Sequence, residues 1–198
     1  MDSVRTVWPH YESIRRATLP SLEDFQKWKL QNSEFVSARE WTPENPGTEV
    51  LGFLQDGGWA VLLDSSYVVA ADENALAKLS QLFGSSVSFV IQTAGGSSTF
   101  MLFKNGELVR AIESVDGNVA TRGEAIPEEY GIQIDRYYVA EAETLQRSLG
   151  FRFLADAPPT QVTAVAVIDR TDYSAAVQAP EVKDSDPAAP KKPWWRLW

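Results

Sequence analysis

The sequence predicts an α+β fold, a mainly antiparallel sheet of hairpins and meanders with two to three packed helices. Three observations carry that expectation. Short apolar runs are separated by Asp56-Gly57-Gly58, Asn105-Gly106 and Asp116-Gly117, residues that tolerate the positive φ of tight hairpin turns. Between the runs lie stretches with helical spacing and recognisable ends. Hydrophobic residues make up 44% of the 198 and aromatics 11%, which suits one core plus appendages better than two full domains.

From the front, Ser21, Leu22, Glu23 and Asp24 read as a capping box with Asp in place of the usual Glu. A helix is expected over 22–30, with Leu22, Phe25 and Trp28 near one face. Residues 1–46 thus read as an N-terminal helical segment. It ends in Pro43, Pro46 and Gly47, a linker that neither a helix nor a central strand accommodates. The α+β domain follows over 47–178. Three extended runs, 50–54, 59–63 and 67–71, are spaced as an antiparallel meander. Asp72 is placed to N-cap a helix over 73–83, whose Leu76, Leu79, Leu82 and Phe83 form a stripe and whose stop is Gly84.

Val87, Phe89 and Ile91 then alternate as in a half-buried strand. Gly95-Gly96-Ser97-Ser98 turns the chain and 99–104 returns it. Asn105-Gly106 is the strongest hairpin signal in the sequence, with 107–114 as the partner strand and Asp116-Gly117 turning into 118–122. A further helix is expected over 141–148, stopped by Gly150, and 162–168 alternates as a last strand. From 179 to 198 the composition shifts to Pro, Ala and charge, a flexible tail with a Trp-rich end.

Charge and composition then narrow the function classes. The formal net charge is -9, and because 179–198 is net positive by one, residues 1–178 carry -10. Such a field repels polyanions and attracts cationic partners, so nucleic acid is not expected as a ligand. With no cysteine there is no disulfide, thiol nucleophile or thiolate-held metal. No apolar h-region opens the sequence and no run approaches the roughly 20 apolar residues of a spanning helix, so the cytoplasm is the expected compartment.

Catalytic signatures are sparse. His10 is the sole histidine, Gly57-Gly58 and Gly95-Gly96 lack the flanks of a phosphate loop, and neighbouring carboxylates are inevitable when 27 residues are Asp or Glu. No catalytic residue, metal site or cofactor is therefore assigned. The run 113–143 is more informative. Glu113, Asp116, Glu124, Glu128, Glu129, Asp135, Glu141 and Glu143 face only Arg122 and Arg136. The first six are the candidate acidic face for a cationic protein partner, against the alternative of an ordinary solubilising surface. The end of the chain is the other candidate. Lys191, Lys192, Trp194, Trp195, Arg196 and Trp198 join indoles to cations, a composition suited to a groove on this protein, a groove on a partner, or a membrane surface.

At Trp59-Ala-Val-Leu-Leu-Asp64, Leu79-Ser-Gln-Leu-Phe-Gly84, Phe103-Lys-Asn-Gly-Glu-Leu-Val-Arg110 and Arg122-Gly-Glu-Ala-Ile-Pro-Glu-Glu129 the chain resembles a loose group of small uncharacterised bacterial proteins. That group looks like immunity or antidote components of interbacterial toxin systems. The resemblance covers about 50–131, rests on strand-turn patterns, and carries over no binding residues. It implies an immunity protein, while the charge, the hairpins and the sparse catalytic signatures point to a non-catalytic acidic binding protein that neutralises a cationic protein partner. The alternatives are a peripheral membrane or complex subunit tethered through the Trp-rich end, and a carboxylate-dependent hydrolase.

Overall fold

The structure, a computed structural model, describes residues 10–34, 36, 42, 45–56, 58–64, 67, 70–151 and 161–169. It has the expected α+β architecture, realised as two four-stranded antiparallel sheets and three helices. The strands are β1 (Tyr11–Leu19), β2 (Glu49–Asp56), β3 (Trp59–Asp64), β4 (Ser85–Gln92), β5 (Ser97–Lys104), β6 (Glu107–Val115), β7 (Asn118–Arg122) and β8 (Val162–Asp169). The helices are α1 (Leu22–Asn32), α2 (Glu73–Phe83) and α3 (Val139–Ser148).

Helix ends follow the capping chemistry. Ser21 Oγ accepts the Asp24 N–H at 3.1 Å and starts α1. Asp72 accepts from the Asn74 and Ala75 N–H groups and starts α2, and Gly84 ends it at a φ of 86°. Two of the hairpin turns are equally direct. Asn105-Gly106 and Asp116-Gly117 all have positive φ, as a type I′ turn requires.

The second sheet runs β4-β5-β6-β7, every strand paired to its sequence neighbour. In the first sheet the order is β1-β8-β2-β3, so the last strand lies in the middle and is bonded on both sides. Its two faces are both covered. Val165 and Val167 pack with Leu51, Tyr11 and Ala75 of α2, whereas Val162, Ala164 and Ala166 pack with Val50, Leu54 and Phe25 of α1.

Helix α2 is shared between the sheets. Ala75 and Leu79 meet the first sheet, and Leu76 meets Met101, Phe103 and Ala111 of the second. Ser80, one turn beyond Leu76, is fully buried; it donates to the Ala77 carbonyl and accepts the Gly106 N–H at 2.7 Å, tying the β5–β6 turn to the helix. Ala142 and Leu145 of α3 cover the opposite face of the second sheet. The layers are therefore α1, first sheet, α2, second sheet and α3.

Three expectations need correction. Of the expected 67–71 strand, the described residues 67, 70 and 71 are not in a strand: Tyr67 has a φ of 61°, the Ala71 N–H bonds back to the Tyr67 carbonyl, and Asp64 accepts the Ala70 N–H. Second, Leu82 and Phe83 are exposed rather than part of the buried stripe, since the last turn of α2 is held to the β5–β6 turn through Ser80 and Gly84 instead. Third, residues 1–46 hold a strand as well as a helix: β1 pairs with β8 and belongs to the first sheet.

Candidate binding surface

The surface is built on β6, β7 and the loop that follows them. Along β6, Arg110, Ile112 and Ser114 share one face by period-two alternation and are all buried, so Arg110 sends a charge inward. Glu129, on a short 3-10 turn at Pro127–Glu129, meets it there. Arg110 Nε donates to Glu129 Oε1 and Arg110 Nη2 to Glu129 Oε2, each at 2.8 Å. Both side chains are at most 7% exposed. Further bonds are local: Arg110 Nη1 donates to the Gly123 carbonyl at 2.8 Å, and Glu129 Oε1 also accepts the Ile126 N–H at 3.2 Å.

Gly123 is needed for this geometry. Its φ is 77°, and a Cβ there would overlap the Val109 carbonyl oxygen. Ile126 and Tyr137 pack inward with Phe100, Leu102 and Ile112, so segment 123–137 is anchored at both ends by apolar contacts and in the middle by an ion pair. Burial pushes the Tyr137 phenol far above the ordinary tyrosine range, with the Glu129 and Glu141 charges adding to the effect. Its hydroxyl oxygen is buried without a hydrogen-bond partner.

Tyr130 stands directly after the anchored turn with 96% of its surface exposed. The acidic residues of the sequence surface distribute around this frame. Glu129 leaves it: the carboxylate expected to face a partner is internal and neutralised by Arg110. Glu124 and Asp135 are exposed and Glu128 is half-buried, all on the loop that carries Tyr130. Asp116 is exposed in the β6–β7 turn, at the opposite end of β7 from Glu124. Glu113 is 22% exposed and 3.4 Å from Arg122, which reaches Glu73 of α2 at 2.6 Å. Burial raises the Glu113 carboxyl above its ordinary value, Arg122 opposes that rise, and Glu73 adds to it. Of the other two acids in the run, Glu141 accepts the Tyr138 N–H at the start of α3, and Glu143 pairs with Arg147.

The structure thus places Glu124, Glu128 and Asp135 on the loop that carries Tyr130, sets Glu113 and Asp116 on the neighbouring hairpin, and removes Glu129. The tail residues Lys191, Lys192, Trp194, Trp195, Arg196 and Trp198 lie outside the described residues. Two residues escaped the sequence reading although signals existed. Arg110 has the parity of Ile112, which marks an inward charge in need of a buried partner. Tyr130, in Glu128-Glu129-Tyr130-Gly131, is an aromatic among acids beside a turn glycine.

Among the described residues no group of three or more His, Cys, Asp or Glu side chains is placed to hold a metal, and no helix is long and apolar enough to cross a membrane. His10 is exposed at the start of β1. Comparison with known protein families, with curated proteins and with solved structures finds no match.

Proposed function

We propose that this protein is a non-catalytic binding protein that captures a cationic protein partner on loop 123–136. The observation that carries the reading is Tyr130, almost wholly exposed on a segment clamped from beneath by the buried Arg110–Glu129 pair. An exposed aromatic is an expensive residue to present to water, and tyrosine is a recurrent anchor of binding hot spots. Clamping the loop before binding removes the ordering cost that a mobile loop would incur on association. Glu124, Glu128 and Asp135 on the same loop outnumber Arg136 and leave it net negative, which speeds the encounter with a basic surface. Within this reading, the resemblance to immunity-like proteins favours a toxin as the partner.

A photo-crosslinking residue in place of Tyr130, with a second at the exposed Leu30 of α1 as control, tests it in the native host. Capture of one basic protein from position 130 alone is the expected result. Its yield should fall as salt is raised above about 0.1 M, where surface charges become screened. Given that protein in pure form, Tyr130→Ala should weaken binding by at least about thirtyfold, the range of a hot-spot truncation. The same crosslinks from both positions, or none from either, would overturn the assignment.

A further inference from the structure

We infer that the open edge of β7 is a docking site for an extended strand, and that its occupant is the chain's own C-terminal segment, residues 194–198. The inference requires no partner protein, and its site shares Glu124 and Asp135 with the loop of the preceding proposal.

β7 is the last strand of the second sheet. In a two-residue hairpin the residues flanking the turn, Val115 and Asn118, bond each other and the pattern alternates from there. Asn118, Ala120 and Arg122 therefore face β6, and the N–H and C=O groups of Val119 and Thr121 face outward. Among the described residues neither makes a further backbone bond. Four of the five residues of β7 are exposed. Open edges of this kind are templates for an added strand.

The edge also has an acidic rim. Asp116 sits at one end and Glu124 at the other, Asp135 lies on the 3-10 turn that packs beside β7, and Arg122 is already engaged by Glu73 and Glu113. The edges of β1 and β4 are less suited. β1 is bulged between Ser13 and Arg15 and exposes Arg15 and Arg16, and at β4 the Tyr67 hydroxyl occupies the Ile91 carbonyl.

Residues 190–198 complement that site. They hold Lys191, Lys192 and Arg196 and no acid, and the five residues after Pro193 are Trp, Trp, Arg, Leu and Trp. This stretch contains no proline and is rich in strand-forming aromatics. The 25 residues from Asp169 to Trp194 reach about 80 Å when extended, against a molecular diameter of about 40 Å. Tethering holds the segment at an effective concentration on the order of millimolar, so a contact too weak for a free peptide is occupied in cis.

Amide hydrogen exchange on the isolated full-length chain tests the inference, beside a chain ending at Ala189 and a full-length K192E/R196E variant. The expected result is that Val119 and Thr121 exchange at least about tenfold more slowly in the full-length chain than in either variant. A synthetic peptide of residues 190–198, added at millimolar concentration to the truncated chain, should restore the protection. Equal exchange in all three folded chains overturns the inference. Protection that grows with protein concentration overturns the cis assignment, because the strand then comes from a second copy. Tail-dependent binding to phosphatidylcholine–phosphatidylserine vesicles with equal exchange at the two amides overturns it in favour of a membrane receiver.

Discussion

The two sheets have the same number of strands and the same antiparallel sense, yet they are held by different means. The first is fixed by shape. Gly52, Ala164 and Ala166 leave a hollow on one face, and the Phe25 ring of α1 fills it. The second has an apolar core as well, but the segment that caps it is pinned by one buried ion pair. A fit of shape tolerates changes of charge nearby and fails on changes of volume. A buried ion pair does the reverse, since removing one partner strands the other in a medium that does not solvate it.

The largest expected effect breaks the charged clamp. Glu129→Ala leaves the Arg110 guanidinium buried with only the Gly123 carbonyl, and should cost about 3–5 kcal/mol of unfolding free energy. Glu124→Ala, on the same loop but exposed, should stay within about 0.5 kcal/mol. Urea unfolding of both variants measures the contrast. Equal midpoints would mean that the second sheet is held by packing alone, as the first is.

Shape is tested at Gly52. A Cβ there would lie 2.8 Å from Phe25 Cζ and 2.9 Å from Cε2, with Leu63 Cδ1 at 3.2 Å. Gly52→Ala should therefore cost about 1–3 kcal/mol through overpacking between α1 and the first sheet. Protection of α1 amides from exchange should fall while that of β5 and β6 persists. A double variant with a smaller residue at 25, Phe25→Leu, should recover part of the loss, whereas no charge change near the site should.

The two sheets also differ in how far the sequence revealed them. The second follows from local signals: Asn105-Gly106 and Asp116-Gly117 join consecutive strands, and Asp72 and Gly84 bound the helix beneath them. In the first, β1 pairs with β8 across roughly 150 residues, a distance over which no turn residue can specify a register. β1 was missed for a further reason, since its largely exposed residues show no apolar alternation. At the candidate surface the acidity of 113–143 was legible, but which carboxylate turned inward was not. Glu128 and Glu129 are chemically identical neighbours, and the 3-10 turn at Pro127 decides which one meets Arg110. The exposed hydrophobes Leu82 and Phe83 carry the same lesson, because helical periodicity does not say which turns of a helix are covered.

A smaller effect, of opposite sign, comes from the same cap. The Tyr137 hydroxyl oxygen is buried without a partner, so Tyr137→Phe removes a desolvated polar group while keeping the ring against Phe100 and Leu145. The variant should gain up to about 1 kcal/mol. A loss of stability in thermal unfolding would mean that the hydroxyl finds a bonding partner in solution.

The smallest expected effect lies at Glu113, where exposure places the charge between the two regimes. Burial raises its folded-state pKa above the unfolded value, despite Arg122. For a carboxyl this means that ionisation costs the fold. The cost is fully present above the folded value and disappears as pH falls below the unfolded one. Glu113→Gln should thus stabilise the protein slightly at neutral pH, by no more than about 0.5 kcal/mol given its partial exposure, and the gain should vanish by about pH 3. Arg122 keeps its closer partner, Glu73, at 2.6 Å, so losing the 3.4 Å contact should not reverse the sign. Urea midpoints of parent and variant across that range decide it. A Gln variant less stable at neutral pH and equal to the parent in acid would mean that the Arg122 contact outweighs burial, extending to the rim of the second sheet the same dependence on charge that Arg110 and Glu129 impose inside it.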